Sequence, residues 1–472
     1  MANILKGLKP QRVFEIFEDI CAIPHGSGNT KAISDYCVAF AKERDLWVFQ
    51  DELNNVIIKK AASEGYENHS PVIIQGHLDM VCEKEPECDI DFLHDGLRLR
   101  VDDDFISAQG TTLGADDGVA VAMALAVLDD NTLSHPPIEV LFTTDEETGM
   151  YGAEGLDATL LSGKRFINID SDHEGMITVG CAGGARAEID IPLIEGEITA
   201  PCYSVEVGGL MGGHSGGDIN KGRLNSNVVM GRLLSSLDGD YNIIDIAGGL
   251  KDNAIPALTK CIVSTDCDIK SIASAFESQN KIPTDSGLYV KVEPAEKTAR
   301  GFTHESSVTI AKFLSTVPNG IQAMSTYMED LVETSLNLGI LKIEKNTLHA
   351  SFAVRSSVGE EKLKLLEKLS EFSKKIGANY NSHSHYPAWE YRESSPLRDI
   401  FTSVFARVYE KKLIVRATHG GLECGLFSEK IEDIDAVSFG PDVFDIHTPR
   451  ERMSISSTAR TYDYLCEVLK EL

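Results

Sequence analysis

The stretch Pro71-Val-Ile-Ile-Gln-Gly-His-Leu-Asp-Met-Val81 constrains the fold of this chain more than any other. Its apolar residues are continuous up to Gly76 rather than alternating, the pattern of a strand covered on both faces, as in a parallel sheet flanked by helices. His77 and Asp79 then arrive at its end. In an α/β sheet the carboxyl ends of the parallel strands open into the ligand crevice. A His there whose second nitrogen is held by a neighbouring carboxylate reads as a metal ligand with its orienting partner, and equally as a hydrogen-bonded structural residue.

The rest of the chain repeats the theme. Val13, Ile16, Phe17 and Ile20, then Ile33, Tyr36, Cys37, Phe40 and Ala41, recur at helical spacing. Short strands are predicted at Trp47 to Phe49 and Val56 to Ile58. A Gly- and Thr-rich loop, Ile106 to Gly118, leads into an apolar helix over Val119 to Leu128. Further strands at Pro136 to Thr144 and Arg165 to Asp170 end in Asp145-Glu-Glu-Thr-Gly149 and Asp-Ser-Asp-His. Alternating strands and helices predict an α/β fold with a mostly parallel sheet.

Beyond about Gly183 strands and helices follow in a different order, twice over, ending in the charged helix Glu360 to Lys375. A polar, aromatic connector, Asn381 to Tyr391, then restores the α/β pattern. A chain of 472 residues also exceeds what one core usually organises. The expected division is 1–183 plus 388–472 as a catalytic domain and 184–387 as an inserted α+β lid, with two related α+β units as the alternative to a single one.

A net charge of −29 with no local basic patch argues against nucleic acid and anionic membrane partners. The first residues lack the apolar core of a signal peptide, and no apolar run is long enough to span a bilayer, so a cytoplasmic protein is expected. The ten cysteines form no Cys-x-x-Cys pair, which fits free thiols in a reducing compartment.

Several strand ends of the interrupted domain offer ligands: His77, Asp116, Glu146 with Glu147, and Asp170, with His447 in the last turn-rich loop. Singly, Asp116-Asp117 could cap a helix, Glu146-Glu147 could be a solvated loop, and Asp170 with Asp172 a turn. Gathered at one sheet edge, the carboxylates would repel one another unless cations compensate them, so a metal centre explains the set.

Gly76-His-Leu-Asp-Met-Val81, Leu113-Gly-Ala-Asp-Asp-Gly118, Thr144-Asp-Glu-Glu-Thr-Gly149, Asn168-Ile-Asp-Ser-Asp172, Gly212-Gly-His-Ser-Gly-Gly217 and His447-Thr-Pro-Arg-Glu-Arg452 occur in this order. Together they resemble the co-catalytic metallopeptidase superfamily of dipeptidases, tripeptidases, aminoacylases and carboxypeptidases. The nearest likeness, over essentially the whole chain, is to its cytosolic aminoacyl-histidine (Xaa-His) dipeptidase group.

The resemblance implies two divalent metal ions bridged by Asp116, His77 and Asp170 completing one site and Glu147 and His447 the other. Zinc suits such ligands, and Mn or Co would also fit. It further implies a metal-activated water, Glu146 as its general base, Asp79 as the orienting partner of His77, and a cis peptide at Asp116-Asp117. In the lid it implies His214 as the oxyanion-stabilising group and Arg355 as a grip on the substrate carboxylate, with Gly420, Gly421 and Glu423 lining the substrate cleft. His25, His173 and His419 match no ligand position and are read as structural. The expected activity is hydrolysis of small peptides, most specifically Xaa-His dipeptides, by a possible homodimer. A tripeptidase, an N-acyl amino acid amidohydrolase, or a metal-binding scaffold without catalysis are the alternatives.

Overall fold

The computed structural model describes residues 4–472, which separate into two compact units. The first comprises the chain up to Gly180 together with Tyr391–Ala417 and Leu422–Leu472; the second comprises Cys181–Glu390 and Thr418–Gly421. Ala182 N–H donates to the carbonyls of both Thr418 and Gly420 at 3.1 Å. This ties the four-residue segment to the second unit, although the sequence pattern placed it in the first.

The first unit is built on an eight-stranded sheet. Its order is Trp47–Gln50, Val56–Lys60, Ile138–Thr143, Val72–His77, Arg165–Asn168, Asp435–Ser438, Met176–Cys181 and Ile414–Thr418. From Ile138–Thr143 to Asp435–Ser438 the strands run parallel, and their flanking neighbours run antiparallel to them. Val72–His77 and Ile138–Thr143 are buried at every position, which explains why their apolar residues do not alternate strictly with polar ones. The helix Ala115–Asp129 has almost no polar face and is buried nearly throughout, as expected of a helix covered on all sides.

A small sheet escapes the sequence pattern. Phe105–Ala108, expected as the start of a loop, pairs with Leu99–Asp102 and with Arg452–Ser454. Its register, Ser107 opposite Arg452, brings the loop after Ala108 beside the loop before Arg452.

The second unit carries a nine-stranded sheet whose strands all pair antiparallel. Strands from both halves of the inserted region share it, joined where Ala247 and Gly248 meet Lys342 and Leu341. Ala185, Ala187, Ile189 and Ile191 alternate into a core that also takes Val229, Leu233, Ile310, Phe313, Leu366 and Leu369 from three helices. The polar stretch Asn381 to Tyr391 is not simply a connector. Asn379–Tyr386 is an edge strand on Gly183–Pro192 and, with one sheet neighbour and five of its eight residues exposed, shows no apolar periodicity.

Candidate active site

The carboxyl edge of the parallel strands in the first unit collects His77, Glu146, Glu147 and Asp170, and the start of the helix Ala115–Asp129 adds Asp116. Gly76 is required here, because a Cβ would lie 2.6 Å from both Ala120 Cβ and Asp117 Oδ2. Gly114, at φ +66°, turns the chain into the helix, and the Asp116–Asp117 peptide is cis. Three donor sets have ligand atoms mutually within 4.8 Å: His77 with Asp116 and Asp170; Asp116 with Glu147 and His447; and His77 with Glu146 and Glu147. Asp116 serves two of them through different oxygens, Oδ1 lying 3.1 Å from His77 Nε2 and Oδ2 3.2 Å from His447 Nε2.

The imidazoles disclose what the site is built for. His77 Nδ1 lies 2.9 Å from the Asp79 carbonyl, while its Nε2 also faces an oxygen, on Asp116. A neutral ring can donate from only one nitrogen, so once Nδ1–H is used, a lone pair confronts a carboxylate. His447 Nε2 faces two carboxylates, at 2.8 Å from Glu147 and 3.2 Å from Asp116. That arrangement suits rings that are protonated or that share a divalent cation with the carboxylates. Without such a cation, hydrogen bonds to Asp116 and Glu147 draw the His447 ring up to about 10. Nitrogen and carboxylate donors around one shared Asp therefore fit a pair of divalent cations on the chemistry of the set.

Burial pushes the Glu146 carboxyl well above its ordinary value; His77 opposes this, while Asp170, Glu423 and Glu147 add to it. Asp170 is raised in the same way, by burial first and then by Asp116, Glu423 and Glu147 against the pull of His77. Asp79 differs: burial opposes its ionisation, but His77, Ser27 and the Glu146 N–H hold it below the usual range. Its brace on His77 is mainly the main-chain carbonyl, with the carboxylate Oδ1 at 3.5 Å. The carboxylate instead accepts from Glu146 N–H at 3.0 Å, Glu147 N–H at 3.3 Å and Ser27 Oγ at 2.7 Å, so it also fixes the loop bearing both glutamates.

Glu423, expected to line a cleft, is fully buried within the first unit. Its Oε2 accepts from Gln75 at 2.5 Å and Thr143 at 2.7 Å, and burial first of all raises it to about 7. In the second unit, Gly216 and Gly217 donate their N–H groups to His214 Nδ1 at 3.2 and 3.1 Å, leaving the ring proton on Nε2 as a donor. Burial and the Arg355 charge lower the His214 pKa, keeping the ring neutral. Arg355 is 7% exposed, Nη1 bonding Tyr386 Oη and the His419 carbonyl while Nε has no hydrogen-bond partner among the described residues. His419, read as structural, is buried with Nε2 2.7 Å from Ser335 Oγ. Gly420 and Gly421 belong to the same unit, half-buried. Glu451, inside the His447 motif, is a further buried carboxylate of this region that no side-chain pattern in the sequence marks.

Fold and site together define the class, a metal-dependent hydrolase built on an α/β sheet. Residues 73–471 match the model of peptidase family M20/M25/M40, and the chain belongs to that family. It is 34% identical to a cytosol non-specific dipeptidase of Escherichia coli, with 99% of each chain covered. Its structure superposes on a crystal structure of an aminoacylhistidine dipeptidase from Vibrio alginolyticus with a TM-score of 0.93, at 34% identity and covering 99% and 98% of the two chains. An aminopeptidase from Bacillus cereus shares the fold at a TM-score of 0.57 and 15% identity, covering 98% and 99%. Among the described residues no helix is long and apolar enough to cross a membrane.

Proposed function

We propose that this chain is a dipeptidase that hydrolyses Xaa-His dipeptides, with Asp116 shared between two divalent cations. The observation that carries the reading is the division of the Asp116 carboxylate, one oxygen toward His77 and the other toward His447. His77 and Asp170 complete one set and Glu147 and His447 the other, a donor chemistry suited to zinc and also open to Mn or Co. Bound there, the cations would lower the pKa of the attacking water and polarise the scissile carbonyl.

The protein's own part begins with Glu146. Ionised beside positive charge, its carboxylate takes the proton of the attacking water and later delivers it to the leaving nitrogen. Asp79 holds that glutamate through its backbone and orients His77 for coordination. In the second unit His214 offers an Nε2–H donor suited to a developing oxyanion, and Arg355 a buried guanidinium suited to a substrate carboxylate. Gly420 and Gly421 are candidates to line the substrate through their backbone. The cytosolic naming of the Escherichia coli relative supports a cytoplasmic setting.

The two full-length relatives carry different names, one a non-specific dipeptidase and one an aminoacylhistidine dipeptidase, so a broad dipeptidase is the second reading. Metal analysis of the purified protein, followed by a dipeptide, tripeptide and N-acyl amino acid panel with Zn, Mn or Co restored, tests both. Faster cleavage of Xaa-His than of other dipeptides supports the first reading. Equal rates support the second, and no dipeptide hydrolysis at saturating metal defeats both.

A further inference from the structure

Glu451 is 2% exposed and carries no donor when ionised, yet four backbone N–H groups converge on it. Its Oε2 accepts from Leu113 at 2.8 Å and Gly114 at 3.2 Å; its Oε1 accepts from Ala115 at 2.8 Å and Asp116 at 3.4 Å. Only a carboxylate has the acceptor capacity for all four, and charge strengthens each bond. The antiparallel pairing of Phe105–Ala108 with Arg452–Ser454 brings these two loops together.

The same glutamate ends the turn that bears His447. Glu451 N–H donates to the Thr448 carbonyl at 3.0 Å, Arg450 N–H to Thr448 Oγ1 at 3.2 Å, and Thr448 Oγ1 to the Asp445 carbonyl at 2.7 Å. A closed circuit results: Glu451 grips the backbone of Asp116, Asp116 Oδ2 faces His447, and the His447 turn leads back to Glu451. We propose that Glu451 is a positioning residue that sets the separation of Asp116 and His447, and thereby the affinity of the Asp116, Glu147 and His447 set for its cation. The inference rests on the reading that Asp116 and His447 hold cations. Capping of the helix Ala115–Asp129 alone would make Glu451 a stabilising residue with no selectivity between the two cation sets.

The test is titration of chelator-treated protein with Co²⁺ and with Zn²⁺, followed by calorimetry and by the Co²⁺ absorption spectrum. The parent should take two ions, one of which His447→Ala removes. In Glu451→Gln an amide N–H₂ faces backbone donors, so that same equivalent should weaken roughly 10- to 100-fold with a changed Co²⁺ spectrum, the other staying within roughly threefold. Thr448→Ala, which loosens the turn without touching the helix, should weaken the same equivalent by a smaller factor, and it decides alone if Glu451→Gln does not fold. Glu139→Gln, a buried carboxylate remote from both loops, should lower stability and leave both affinities unchanged. Unaltered affinities in Glu451→Gln and Thr448→Ala, or equal weakening of both equivalents, overturn the inference. A parent that takes fewer than two ions overturns the two-cation reading itself, which is a separate result.

Discussion

The two ends of one strand treat the same kind of residue in opposite ways. Glu139, the second residue of Ile138–Thr143, is 3% exposed and meets Lys59 Nζ, Ser162 N–H, Ser162 Oγ and Gly163 N–H, each at 2.8 Å. Burial works against its charge, but these partners hold its pKa below the ordinary glutamate value. Glu146, just beyond the other end, is surrounded by Asp170, Glu423 and Glu147, and burial with these neighbours raises it despite His77. Burial penalises both carboxylates, so the sign is decided by the partner. One end carries its own lysine; the other, on the function proposed above, is completed by cations from solution.

The largest expected effect follows from that contrast. Stripping divalent ions should abolish hydrolysis and lower the melting temperature, and restoring an ion at about 100 times its Kd should return roughly 2.7 kcal/mol per site. Undiminished turnover after exhaustive chelation would break the comparison. Next, Glu146→Gln should lower kcat roughly 10²- to 10⁴-fold while calorimetry still counts the parent number of ions; full activity removes Glu146 from proton transfer. Asp79→Asn should weaken ion binding by roughly 10- to 100-fold, because His77 and the Glu146 loop lose a shared anchor. Unchanged binding would reduce Asp79 to a packing role.

The smallest effect sharpens the contrast from the other end. Glu139→Gln should cost roughly 1–3 kcal/mol of stability in urea titration and leave the turnover rate alone. Its sign with pH is fixed by the lowered pKa. A carboxyl held below its unfolded value contributes fully above that value, about pH 4.3, and loses the contribution as pH falls through the folded pKa. The gap between parent and Glu139→Gln should therefore be flat toward neutral pH and close on acidification; a gap that widens in acid would contradict the Lys59 pairing.

Much of this was legible in the residues themselves. Continuous apolar strands marked the parallel core, and the polar residues after each marked the edge where the candidate ligands gather, because hydrophobic period and strand-end chemistry are both local signals. What escaped was non-local. The Phe105–Ala108 strand is only four residues long, and its pairing with Arg452–Ser454 spans most of the chain. The family resemblance implies a cleft position for Glu423, and only the fold places its carboxylate on Gln75 and Thr143. Glu451 gives no such signal, because a residue that serves backbone N–H groups leaves no partner side chain in the sequence.

The position of Asp435–Ser438 also governs the order in which the molecule can be made. That strand lies in the sheet between Arg165–Asn168 and Met176–Cys181, although nearly the whole of the second unit separates it from them in the chain. Cys181 and Trp389, close to the ends of the inserted segment, exchange backbone hydrogen bonds at 2.9 and 3.1 Å and so close that segment on itself. On the ribosome, every strand of the later-inserted sheet emerges before the earlier one can be filled. A nascent chain halted before Asp435 would carry a finished second sheet, a gap in the first, and neither His447 nor the glutamate that grips Asp116.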